Sequence, residues 1–194
     1  MKRLLALILV SVGLLSGAIQ AAPAPGSVTE GTIAAVDASA VTVTIRAGSQ
    51  VRLAINSETV VIQRRPVKLE DIKRNEFVGV TARREPDGSL TAISINIFPP
   101  EFKGRVREAQ FVMDTGNVMT NATVFQNVRR IEGRTLYLRL GDGTAVIAVP
   151  KDAAVIRLTV IKVGDLRSGM QVMVRGSTGA DGSLVASTIT VDAR

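Results

Sequence analysis

Residues 57–97, SETVVIQRRPVKLEDIKRNEFVGVTARREPDGSLTAISINI, decide how this chain is read, because the chain contains them twice. Shifted by 94 positions, the stretch lies on residues 151–191 without a gap, and 12 of the 41 positions are identical. Val61 and Ile62 fall on Val155 and Ile156, and Asp71 and Ile72 on Asp165 and Leu166. Val78 and Val80 fall on Val172 and Val174, and the run Asp87, Gly88, Ser89, Leu90 falls on Asp181, Gly182, Ser183, Leu184. Self-similarity at a fixed spacing means one supersecondary unit and a second copy of it.

Outward from this stretch, the pattern is that of short strands. Val41, Val43 and Ile45 alternate with Thr42, Thr44 and Arg46. After a turn at Ala47, Gly48 and Ser49, Val51, Leu53 and Ile55 alternate with Arg52, Ala54 and Asn56. A period of two with one polar face is a half-buried strand. In the second copy Leu136, Leu138 and Leu140 point one way and Tyr137 and Arg139 the other. Gly141, Asp142 and Gly143 then turn the chain into Ala145, Ile147 and Val149. Residues 69–74 break the alternation. They read as one helical turn that tucks Ile72 under the barrel, ended by Asn75; Leu166 and Gly169 take these places in the second copy, and both Asn and Gly tolerate a left-handed backbone. Asp71 and Asp165 suit a capping role at that turn. Asp87-Gly88 and Asp181-Gly182 suit tight hairpins, with Gly supplying the positive φ.

Aromatic residues are only 3% of the 194, and Cys, His and Trp are absent. The core therefore rests on Val, Ile, Leu and Ala, a bias that favours strands. An open sheet this size exposes unpaired edges, so the expected fold is all-β: two tandem small antiparallel β-barrels, OB-like, with five to six strands each. The expected organisation is a signal peptide over 1–21, a tether over 22–30, the first barrel over 31–98, an inter-repeat segment over 99–117 and the second barrel over 118–194.

The leader reading rests on Lys2 and Arg3, an apolar run over 4–15 and a flank of small residues before Pro23 and Pro25. Cleavage after Ala21 is expected, which leaves no membrane span; the rival reading keeps residues 4–22 as an anchor. Losing Lys2 and Arg3 lowers the basic residues from 24 to 22 against 17 acidic ones, so the net charge falls from +7 to +5. Most of that excess lies in the second copy.

The elements Gly31-Thr32-Ile33, residues 69–72, Val78 to Val80 and residues 87–92 resemble an uncharacterised family of exported bacterial small β-barrel domains of unknown function. Asp165, Leu166 and residues 181–186 carry the same match in the second copy, and residues 119–124 are similar to a periplasmic branch. The resemblance implies two tandem copies, and it implies no activity, because its motifs are turn and core residues.

The chemistry is bounded by what is missing. Without His no Ser can be raised to a triad nucleophile, and the commonest general base and metal ligand is gone. Without Cys there is neither a disulfide nor a thiolate site. Glu70, Asp71, Asp142 and the Asp-Gly turns supply single carboxylates, where a calcium loop needs several at fixed spacing. No glycine-rich loop precedes a helix. No cofactor, no metal and no catalytic residue is expected. A nucleic-acid groove would interleave bases with several aromatics, and the single Tyr makes that partner unexpected. Asn121, Ala122 and Thr123 form a glycosylation sequon read as chance. The expected function is an exported, periplasmic or secreted, non-catalytic binding or envelope-associated module, whose partner is an envelope protein or polymer. The alternative is a binder of a small ligand, glycan or polyanion on a face made by Arg134, Tyr137 and Arg139. Phe102 and Phe111, inside the inter-repeat segment, are read either as filling a seam or as an apolar anchor for a partner.

Overall fold

The computed structural model describes residues 26–130, 133–179 and 182–193. The first copy supplies β1 (Ser27–Val36), β2 (Ala40–Ile45), β3 (Gln50–Ala54), β4 (Val60–Pro66), β5 (Phe77–Arg84) and β6 (Leu90–Ile97). A short β7 (Ala109–Val112) lies in the inter-repeat segment. The second copy supplies β8 (Val118–Arg130), β9 (Gly133–Leu140), β10 (Gly143–Ala148), β11 (Ala154–Ile161), β12 (Gln171–Thr178) and β13 (Leu184–Asp192). Single helical turns stand at Leu69–Asp71, Pro100–Phe102 and Val163–Asp165.

The all-β reading holds, but the expected pair of tandem antiparallel barrels does not. All thirteen strands form one mixed sheet, in the order β10-β9-β8-β5-β6-β11-β4-β13-β12-β1-β2-β3, with β7 on β8. The reason is that the two copies trade halves. β1 pairs with β12 of the other copy, through Ser27 to Thr32 against Gly176 to Gln171. β5 pairs with β8, through Phe77 to Ala82 against Thr123 to Val118. The parallel partners are also exchanged: β4 lies on β13 and β11 on β6. Between these halves β4 and β11 run antiparallel, from Ile156↔Pro66 to Ile161↔Val61. Each end of the sheet turns back on itself, β10 reaching β6 at Ala148↔Thr91 and β13 reaching β3 at Val185↔Ala54.

Two hydrophobic clusters follow, and each is built from both copies. One gathers Ile33, Val41, Val43 and Leu53 of the first copy with Leu166, Val174, Ile189 and Val191 of the second. The other gathers Ile72, Val80, Ile95 and Ile97 of the first with Val124, Leu136, Leu138 and Ile147 of the second. Burial of such side chains, at about 1.5–3 kcal/mol each, therefore rewards contact between copies as well as within them. A register shift at Thr81/Ala82 in β5 recurs at the equivalent Arg175/Gly176 in β12.

The local elements follow the sequence closely. The chain is left-handed at Asn75, with φ 70°, and at Gly169, with φ 83°. Asn75 N–H donates to the carbonyl of Val124 at 2.8 Å, and Gly169 N–H to that of Ile33 at 2.8 Å, so each turn is pinned to the opposite copy. Of the tether expected over 22–30, the part from Ser27 onward is strand, because β12 offers an edge to pair with. The leader over 1–21 lies outside the described residues.

Candidate functional site

β9 continues the alternation of Leu136, Leu138 and Leu140, so the three residues expected to share a face do not. Tyr137 and Arg139 stand on the outer side. Arg134 has the parity of buried Leu136 and Leu138, and its Nε is buried without a hydrogen-bond partner among the described residues. The shared face expected for Arg134, Tyr137 and Arg139 does not form because a strand separates odd from even positions.

A residue that the sequence reading passed over completes the outer face. The pairing of β8 with β9 slips between Val124 and Gln126, leaving Phe125 as the extra residue of a bulge. Bulges re-aim side chains, and Phe125 is 40% exposed. The guanidinium of Arg139 lies 5.4 Å from its ring centroid, and that of Arg74 lies 5.5 Å from it. Cations at this distance are attracted to the ring face. Arg74 comes from the first copy, just before the left-handed Asn75, whereas Phe125 and Arg139 come from the second. The hydrogen bond from Asn75 to Val124 sets this junction. Neither arginine is in an ion pair among the described residues. The result is a cationic and aromatic platform.

Phe102 and Phe111 part company. Phe102 stacks on Phe98, with centroids 6.1 Å apart, and Phe98 packs on Phe77 at 5.5 Å. This three-ring row joins the inter-repeat segment to β5 and β6, both of the first copy. Phe111 lies in β7 opposite Met119 and is 48% exposed, with Val112 also exposed beside it. Phe77, Phe98, Pro99 and Pro100 line a groove of about 500 Å³ together with Glu76 and Arg157. Across it Arg157 Nη1 donates to Glu76 Oε1 at 2.7 Å, and Arg157 Nη2 donates to the carbonyl of Asp71 at 2.8 Å.

The acidic residues singled out by the repeat hold turns. Lys68 N–H donates to Asp71 Oδ2 at 2.8 Å, and Lys162 N–H donates to Asp165 Oδ2 at 2.9 Å. Each Asp is the last residue of its helical turn and reaches back to the residue before it, so the pair are caps in effect but not in the N-cap position. Asp87 Oδ1 accepts from Ser89 N–H at 2.9 Å, and hydrogen bonding from Ser89 lowers its pKa. Gly88 and Gly182 take φ 86° and 80°. Asp181 lies outside the described residues. Asp37, in the β1–β2 turn, is pulled to a pKa of about 2, first by the Ser39 hydroxyl and then by the Ser39 N–H. Asn121 of the sequon is buried in β8 between β5 and β7. Among the described residues no three acidic side chains converge as a metal site would require. No helix among them is long and apolar enough to cross a membrane.

A family model described as a domain of unknown function, DUF5666, matches residues 30–96 and again residues 112–190. No curated protein and no solved structure matches the chain.

Proposed function

The chain belongs to this DUF5666 family through both of its copies, and on that premise we propose that it is an exported, non-catalytic binding protein that takes an anionic polymer on the Arg74–Phe125–Arg139 platform. The observation that carries the reading is the pair of guanidiniums held over one exposed ring. A ring face supports the apolar face of a sugar, and planar guanidiniums pair with carboxylate, sulfate or phosphate groups. Tyr137, on the same face as Arg139, extends the platform along β9. The positive-charged leader and apolar run support export, which would set the protein among envelope polymers of a bacterial periplasm or the cell exterior. The absence of His and Cys from the whole sequence supports a binding role over a catalytic one.

Titration of the mature protein with polygalacturonate, dextran sulfate and neutral dextran tests this. The two anionic polymers should bind, with affinity falling as salt rises, because bound counterions are released. Arg74→Ala with Arg139→Ala should abolish the salt-dependent part, and neutral dextran should not bind. Equal binding of all three polymers, or an unaffected double variant, refutes the platform. Export is read separately: the intact mass of the protein from the native envelope fraction should lack residues 1–21, and a full-length mass would make the leader an anchor.

A further inference from the structure

The two copies diverge in sequence at the places where they meet, and the divergence is paired. Glu76 and Arg157 form an ion pair at 2.7 Å, each side chain 22% exposed. Glu76 is in the first copy and Arg157 in the second. Their equivalents under the 94-residue shift are Met170 and Gln63, neither charged. Arg64 and Asp192 form a second ion pair at 3.8 Å, where β4 lies against β13. Their equivalents are Leu158 and Phe98, both apolar, which line one groove where β11 lies against β6.

We infer that each copy presents a docking surface whose fitting partner is the other copy and not itself, with these two position pairs as the selecting contacts. In the exchanged arrangement charge meets charge, at 76 with 157 and at 64 with 192, and the apolar residues at 98 and 158 line one groove. Had each copy closed on itself, every pair would be mismatched. Arg157 would stand against Met170, and Glu76 against Gln63. Arg64 would stand against Phe98, and Asp192 against Leu158. Glu76 and Arg157 are partly buried, so either one left without its partner is costly, whereas Arg64 and Asp192 are 41% and 67% exposed and add a smaller preference. The remaining contacts are common to both arrangements in kind: Asp71 and Asp165 hold the same turn, and the register shifts of β5 and β12 coincide. The chain is therefore a linked heterodimer of half-exchanging modules, and the segment between β6 and β8 serves as its tether.

The test cuts that tether. A protease site inserted after Gly104, an exposed position with φ 82°, divides the folded chain into its two copies without removing any. The cleaved protein should elute as a single species of undiminished mass with one cooperative melt. Glu76→Met with Met170→Glu moves the acidic partner of Arg157 into its own copy. This double variant should lower the melting temperature by several degrees, and its cleaved form should part into separate copies at concentrations where the native form stays joined. Adding Gln63→Arg with Arg157→Gln rebuilds the ion pair in the other half, and co-elution and melting temperature should both return. That restoration distinguishes partner choice from a simple loss of packing, even if the double variant fails to fold. Separation of the cleaved native chain into two folded units overturns the inference. So does a double variant indistinguishable from native, or a fourfold variant no better than the double.

Discussion

Arg64 and Leu158 occupy the same position in the two copies and face each other across β4 and β11. An antiparallel pair that matches a position with its own equivalent has a twofold axis through that point, so the molecule is organised about a pseudo-twofold between these residues. The axis explains why each closed half of the sheet contains parts of both copies. It also explains why the two halves are alike in backbone yet differ in side chains. The Arg74–Phe125–Arg139 platform therefore occurs in one half only, because the positions equivalent to Arg74 under the shift carry Ser168 instead.

Asp71→Ala and Asp165→Ala should each lower stability by about 1 kcal/mol, the usual cost of losing a side-chain acceptor at a helical turn. Chemical denaturation of each variant measures this. Polymer binding by the folded variants should be unchanged, since neither carboxylate lies in the platform; loss of binding at native stability would move these residues into a site.

Phe102→Ser and Phe111→Ser should behave differently. Phe102 completes the row with Phe98 and Phe77, so its truncation should cost about 2 kcal/mol in lost burial and ring contact. Phe111, largely exposed on β7, should change stability by about 0.5 kcal/mol or less. Thermal melts of the two single variants decide it, and equal destabilisation would mean that β7 packs against more than β8.

Asp37 should titrate with a midpoint of about 2 in the folded protein, because the Ser39 hydroxyl and N–H both stabilise its charged form. Its folded pKa lies below the ordinary value of 3.8. It therefore stabilises the fold above that ordinary value, and the contribution is lost as pH falls from there through about 2. A carbon-detected titration of the carboxyl reads the midpoint directly. Ser39→Ala should move it upward, and an unmoved midpoint would remove the hydroxyl from the explanation.

The strands, turns and left-handed positions were legible in the sequence because they are local. Val41 to Ile45 alternate whatever they pair with, and Asn75 and Gly169 mark a turn that needs positive φ wherever it sits. The inward set of β9, Leu136 and Leu138, was legible for the same reason. Arg139 is legible as an outer residue, whereas Arg134, three positions from Tyr137 and five from Arg139, has the opposite parity in the pleat. Phe125 gave no signal, since a bulge arises from the register of two strands and neither strand alone encodes it.

What the sequence by itself determined is the unit and its repetition: strand-forming elements, two copies, the same turns in each, and a composition without His or Cys. What only the tertiary structure decided is which copy each half belongs with. Two modules of one pattern offer their strands similar partners, so strand alternation and turn residues alone do not say whether a copy closes on itself or on its neighbour. The exchange is carried by contacts distant in sequence, such as Glu76 with Arg157, which only the folded chain brings together.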